Sequence, residues 1–259
     1  MTVGISEFID SFVHDVQALG IRPGGVLMVH PALRPFGYVP GGADTVIRGL
    51  LKALGEGGTL LMPSLTWENV TLNNPVFDLN KTPSCVGTIA EIFRLRSDTV
   101  RSMHPTHSVC ATGSQSGSLL AHHGLDHTPC GPHSPYRKLP EVDGQILMLA
   151  CGLVYNTSMH GIEELVVPPY LYGQPVLYTL IDRDNHRQEK AYIPHNFIGW
   201  QQRYDRVADI LSEPALCSGL IAGTRSYLIE ARSLWETVIP LLCQNPLYFI
   251  EKLDDNENI

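Results

Sequence analysis

No Cys-x-x-Cys pair occurs in this chain; its six cysteines, Cys85, Cys110, Cys130, Cys151, Cys217 and Cys243, stand singly. That scatter excludes the disulfide framework of a small secreted domain and leads us to expect reduced thiols in a cytoplasmic protein. No apolar run approaches the roughly 20 residues of a membrane span. The N-terminus mixes Glu7, Asp10 and Asp15 with its apolar residues, unlike a signal peptide. Clustered Lys and Arg are also missing, and a formal charge of −8 argues against a nucleic-acid backbone as partner. Neither Gly-x-Gly-x-x-Gly nor a Gly-Lys-Ser/Thr ending is present, so the turns at Gly55, Gly57 and Gly58 read as chain reversals and not nucleotide cradles. Six histidines fall between His104 and His133, yet no His-Glu-x-x-His and no cysteine pair completes a zinc set. No metal is expected.

What is present is an ordinary globular composition, 44% hydrophobic and 17% charged over 259 residues, long enough to bury a large core. Ile5, Phe8, Ile9, Phe12, Val13, Val16 and Leu19 recur at helical spacing before Gly20, predicting an opening amphipathic helix. Val26 to Val29 then reads as a buried strand ending at His30 and Pro31. Ala43 to Leu54 reads as a helix with one apolar stripe, and Thr59 to Met62 as a second buried strand. Strand, helix, strand of this type is a βαβ unit. The expectation is a single α/β domain over residues 1–259: a mainly parallel central sheet flanked by helices, with a small antiparallel excursion in the C-terminal half. That excursion is Val176 to Ile181 and Glu189 to Ile193, around the turn Asp182 to Asn185. The remainder reads as helical up to a last strand near Pro246 to Ile250, followed by an acidic tail from Asp254 to Glu257. In such sheets ligands gather beyond the carboxyl ends of the strands, which draws attention to residues 30–42 and 64–69.

The chemistry is placed at Asn156 to Glu164, which follows the apolar run Ile146 to Leu149 and starts a helix. His160 and Glu163 are three apart and so share a helix face, where the carboxylate can fix the imidazole tautomer and support its positive charge. A histidine held this way is a candidate general base. The plainer reading, a surface or core histidine near a helix end, stays open on spacing alone.

Laid in order, the pieces resemble the aminoglycoside 3-N-acetyltransferase (antibiotic N-acetyltransferase) family over nearly the whole chain. They are Pro23-Gly24-Gly25 with the strand to His30, Gly58 to Ser64, and Phe77-Asp78 with Thr82 to Ser84 and Gly87. Arg101 to Pro105 with Ser108 and Gly113, then His133-Ser134-Pro135, and lastly Asn156-Thr157 with His160 and Glu163, complete the set. The resemblance implies acetyl transfer from acetyl-CoA to the 3-amino group of a 2-deoxystreptamine antibiotic, conferring resistance. It makes His160 the base and Glu163 its orienting partner. Thr157 is a donor to the acyl oxygen or, alternatively, a helix N-cap. His30, Leu33 and Arg101 are expected beside the CoA. Serines common in the family after His30 are replaced by Pro31 and Ala32, leaving backbone amides or Arg34 to substitute, and Ala150 and Cys151 stand where a glycine-rich turn is common. A polycationic acceptor needs carboxylates and carbonyls, for which Glu68, Asn69, Glu164 and Asp205 are the candidates. A monomer or homodimer is expected. Two rivals are an acyl-CoA-dependent transferase acting on a different amine, and a non-catalytic CoA- or ligand-binding protein, which needs no base.

Overall fold

A computed structural model describes residues 4–253; the acidic tail Asp254 to Glu257 lies outside the described residues. Helix α1 (Ile5–Ala18) buries Ile9, Phe12 and Val16, as its spacing predicts. Strand β1 (Val26–Pro31), helix α2 (Gly42–Leu54) and strand β2 (Thr59–Pro63) form a βαβ unit, with β1 and β2 parallel and Val26 opposite Thr59. Next come β3 (Val76–Asp78), α3 (Thr88–Arg94), β4 (Val100–Arg101), β5 (Val109–Gly113), α4 (Ser116–Leu120), α5 (Pro135–Lys138) and β6 (Gln145–Leu149). Then follow α6 (Met159–Val166), β7 (Val176–Ile181), β8 (Arg187–Tyr192), β9 (Trp200–Gln202), β10 (Leu216–Ile221), β11 (Thr224–Glu230), α7 (Ala231–Gln244) and β12 (Ile250–Lys252).

The central sheet has seven strands in the order β10, β11, β6, β1, β2, β5, β4. It is not mainly parallel, contrary to the expectation from sequence. Only β6, β1 and β2 run parallel within it, while β11 and β10 on one flank and β5 and β4 on the other pair antiparallel. With the smaller sheets of β3, β7, β8 and of β9, β12 included, six of the nine pairings are antiparallel. The antiparallel pairing is therefore no excursion of the C-terminal half.

The reason lies in the connections. A parallel neighbour needs a crossover, whereas β10 and β11 are joined through Ala222 and Gly223, at φ 46 and φ 77, a left-handed two-residue turn that reverses the chain. Helix was expected here. Buried Ser226 and Leu228, two apart on β11, have strand periodicity instead.

Alternation along the three parallel strands divides the core. Val26, Met28, Leu61, Ile146 and Met148 face one side, packed with Met159 and Ile162 of α6 and Leu234, Trp235 and Val238 of α7. Leu27, Val29, Leu60, Met62, Leu147 and Leu149 face the other, against Phe12 and Val16 of α1, Ile47 and Leu50 of α2, and Ile89 and Phe93 of α3. Helices thus cover both faces, and the carboxyl ends of β6, β1 and β2 point the same way. The last residue of β5 has no room for a side chain: at Gly113 (φ 118) a Cβ would meet the Gly58 carbonyl oxygen of the neighbouring strand's lead-in. We expect Gly113→Ala to lower stability by about 2–3 kcal/mol in urea unfolding; a loss below about 0.5 kcal/mol would mean that this strand pair separates without cost.

Candidate active site

Beyond β6 the chain enters a left-handed turn at Ala150 (φ 56), whose amide donates to Ser226 Oγ at 3.0 Å. A short helical turn, Leu153–Tyr155, leads to Asn156, whose Oδ1 accepts from the Ser158 amide at 3.1 Å and sets up the start of α6. Thr157 is not the helix cap; that position belongs to Ser158, which makes no side-chain capping bond. Thr157 is half-buried and lines the cleft.

On α6 the three-residue spacing does what it predicts. His160 Nδ1 lies 2.8 Å from Glu163 Oε2, with Glu163 wholly buried. A buried carboxylate must be satisfied by donors, and two phenols supply them: Tyr204 donates to Oε2 and Tyr170 to Oε1, each at 2.8 Å. Burial next to this carboxylate pushes both phenols far up, so they remain donors. With Glu163 acceptor-only, the shared proton belongs to Nδ1, which leaves the Nε2 lone pair of His160 free. Gly161 lets α6 sit close to α7, since a Cβ there would come within 3.0 Å of the Trp235 ring.

Two more imidazoles stand against the first. His107 and His195 have ring centroids 5.7 and 4.7 Å from that of His160. His195 follows β8, and its Nε2 donates to Glu164 Oε1 at 2.7 Å. Glu164 also accepts from the Cys130 amide at 2.7 Å and from Thr128 Oγ1. Burial, then the neighbouring histidines, hold His107 and His195 well below the usual imidazole range, so both are neutral at neutral pH. His30, at the end of β1, is lowered to about 3 by burial and then by His160, and its Nε2 has no partner among the described residues.

These rings border a cleft of about 1180 Å³ at the carboxyl ends of β1, β2 and β6. His30, Leu33, Thr157 and His160 line it, together with Arg34, Trp67, Phe197, Trp200 and Tyr204. The other sequence candidates lie elsewhere. Arg101 is pinned under the loop after β3, donating to Ser108 Oγ and to the carbonyls of Thr82 and Ser64, and stacks 4.9 Å from Phe77. Its burial lowers it to about 10. Glu68 is exposed and Asn69 donates to the Pro83 carbonyl. Glu164 stands behind His195, and Asp205 is paired with Arg203 at 2.9 Å.

The family description "Aminoglycoside 3-N-acetyltransferase" matches residues 28–242. The chain belongs to this family. It is 31% identical to aminoglycoside N(3)-acetyltransferase IV of a Salmonella species, over 90% of this chain and 86% of that protein. Among solved structures, a histidine-to-alanine variant of aminoglycoside acetyltransferase AAC(3)-IVa in complex with apramycin superposes with a TM-score of 0.77 at 28% identity, covering 92% of this chain and 93% of that one. A binary complex of AAC-IIIb with CoASH superposes at 0.80 and 25% identity, covering 91% and 96%.

In this member of the acetyltransferase family the Ala32 amide donates to the Leu149 carbonyl at 2.9 Å, and the exposed Arg34 lines the cleft. Sequence reasoning missed Tyr170, Tyr204 and His195. The tyrosines are 7 and 41 residues from Glu163 and carry no spacing signal, while the Pro194-His195-Asn196 turn gave no sign that it folds back onto α6. Cys151 borders the cleft with its thiol donating to the His30 carbonyl at 3.1 Å, and burial pushes it up to about 12. At pH 8 it is then almost wholly the unreactive thiol. We expect iodoacetamide at that pH to label the exposed Cys243 first and leave the half-buried Cys151 unmodified, as read by peptide mass spectrometry; early labelling of Cys151 would contradict its raised thiol.

Proposed function

We propose that this chain acetylates the 3-amino group of a 2-deoxystreptamine aminoglycoside from acetyl-CoA, with His160 as general base. The observation that carries this reading is the His160 ring on the cleft wall with its Nδ1 held 2.8 Å from Glu163 Oε2, an arrangement that leaves Nε2 for the acceptor. Acetyl-CoA supplies an activated thioester carbonyl. An ammonium is no nucleophile, so the acceptor amine must lose a proton before or during attack, and a positioned imidazole suits that near neutral pH. Nε2 of His160 takes the proton, and the buried carboxylate of Glu163 supports the imidazolium without taking the proton itself. The Thr157 hydroxyl, at the wall beside His160, donates to the oxygen on which negative charge develops.

The cleft fits a nucleotide thioester and an acceptor together, since single-ligand pockets commonly occupy about 300–1000 Å³. His30 offers an Nε2 without a partner among the described residues, Leu33 an apolar wall, and Arg34 a cation for phosphate at the mouth. Arg101 contributes by holding the loop after β3. Residues 1–259 act as one domain in this reading. The chain works in the cytoplasm, where acetyl-CoA is made available and its six free cysteines stay reduced. No described helix is long and apolar enough to cross a membrane.

One observation favours a second reading. Among the described residues, no carboxylate lines the cleft, whose walls are aliphatic, aromatic and imidazole with the single cation Arg34. An acceptor amine with fewer positive charges than an aminoglycoside suits such walls. Glu68 and Asn69 serve an aminoglycoside only if the loop after β2 moves inward, while Glu164 is held on α6 by His195 and Asp205 is paired with Arg203. Thiol release from acetyl-CoA, measured against gentamicin-, neomycin- and apramycin-type acceptors and a panel of simpler amines, separates the two. Turnover with an aminoglycoside supports the first; turnover confined to simpler amines sinks it.

Two variants test the base. We expect His160→Ala to lower kcat by about 10²–10⁴-fold with CoA affinity nearly unchanged; near-parental turnover would remove His160 from that role. Glu163→Gln should lose less than His160→Ala, because the amide oxygen can still accept from Nδ1 but no longer supports the charge of the ring. A loss equal to that of His160→Ala would contradict this division of labour.

A further inference from the structure

Three imidazoles converge at the base of the cleft, and the general-base reading uses only one. His107, His160 and His195 each offer a ring nitrogen, and the three nitrogens lie within 4.8 Å of one another. Each ring is engaged on one side alone. His160 Nδ1 is held by Glu163 Oε2 at 2.8 Å, His195 Nε2 by Glu164 Oε1 at 2.7 Å, and His107 Nδ1 by Thr106 Oγ1 at 2.9 Å. Left over are Nε2 of His107 and His160 and Nδ1 of His195. The last is a buried nitrogen without a partner among the described residues, on a side chain only 4% exposed. An unsatisfied polar atom at such a depth calls for a ligand.

An imidazole whose far nitrogen is held by a carboxylate is how metal-binding histidines are oriented, and two of the three have that support. Neutral imidazoles suit zinc, and three protein nitrogens with a fourth position opening on a cleft make an open tetrahedral site. Tetrahedral ligands about 2.0–2.1 Å from zinc sit roughly 3.3 Å apart, so the ring nitrogens must close by up to about 1.5 Å. We infer that His107, His160 and His195 form a site for Zn²⁺ that inhibits the enzyme reversibly, because the ion occupies the Nε2 lone pair with which His160 accepts the acceptor's proton. The inhibition rests on the general-base reading given above; the binding does not.

The test uses the full chain stripped with EDTA and titrated with Co²⁺ in thiol-free buffer. A four-coordinate Co²⁺ complex absorbs in the visible far more strongly than the aqueous ion. We expect one such site per chain, displaced by Zn²⁺, with affinity lowered about tenfold or more in His195→Ala and in His107→Ala. His107→Ala leaves both imidazole–carboxylate pairs in place, and an unchanged melting temperature shows that its loss of metal is not loss of fold. Formation of acetylated acceptor, followed by mass spectrometry, should fall in proportion to Zn²⁺ occupancy and return with EDTA. The proposal is overturned if no four-coordinate spectrum forms, or if both variants bind as the parent does. That second result would place the ion on thiols or on the exposed turn of Asp182, Asp184 and His186. Binding at the three histidines with undiminished turnover would overturn the inhibition and count against His160 as base, while leaving the metal site intact.

Discussion

A carboxylate with no access to water sets the terms for this site. Glu163 is wholly buried, and an uncompensated buried charge costs several kcal/mol. Its acceptors are satisfied by the His160 ring on its own helix, Tyr170 just beyond that helix, and Tyr204 after β9. Three segments are therefore locked by one group, and removing any single donor leaves a deficit of about 1–3 kcal/mol. The same bonds that answer the desolvation problem choose the tautomer of His160. Stability and chemistry are in this respect one arrangement.

The sheet explains where that arrangement sits. Only three central strands are parallel, but those three carry His30, Pro63 and the approach to Ala150 at their carboxyl ends, which is where the cleft opens. The antiparallel flanks widen the sheet without changing its direction at the centre. The β7–β8 hairpin adds the return segment that carries His195 to the first imidazole. Gly161 permits the close approach of α6 to Trp235, so the helix that presents His160 rests on the core.

Local features were legible and distant ones were not. The helix of Ile5 to Ala18, the βαβ unit and the His160–Glu163 contact each follow from a period of 3.6, a run of four or five apolar residues, or a spacing of three. The hairpin of β10 and β11 was hidden because Leu216 to Ile221 has only one buried residue and mixes small and apolar residues, so its two-residue periodicity is faint. The mainly parallel sheet was an extrapolation from one βαβ unit to strands that reach the sheet by hairpins and long loops. Arg101 looked like a ligand-binding guanidinium because sequence does not reveal that four carbonyl and hydroxyl oxygens already surround it. Tyr170, Tyr204 and His195 act through folding contacts to which no local pattern corresponds.

The central claim is that the resting His160 ring carries its proton on Nδ1 and turns a bare Nε2 to the cleft. Nitrogen-15 NMR of the metal-free enzyme, with the ring assigned by its loss in His160→Ala, reads this directly. The account predicts a protonated-type shift at Nδ1 and an unprotonated-type shift at Nε2. The opposite tautomer, with its proton on Nε2, would contradict it, because no lone pair would then face the acceptor amine.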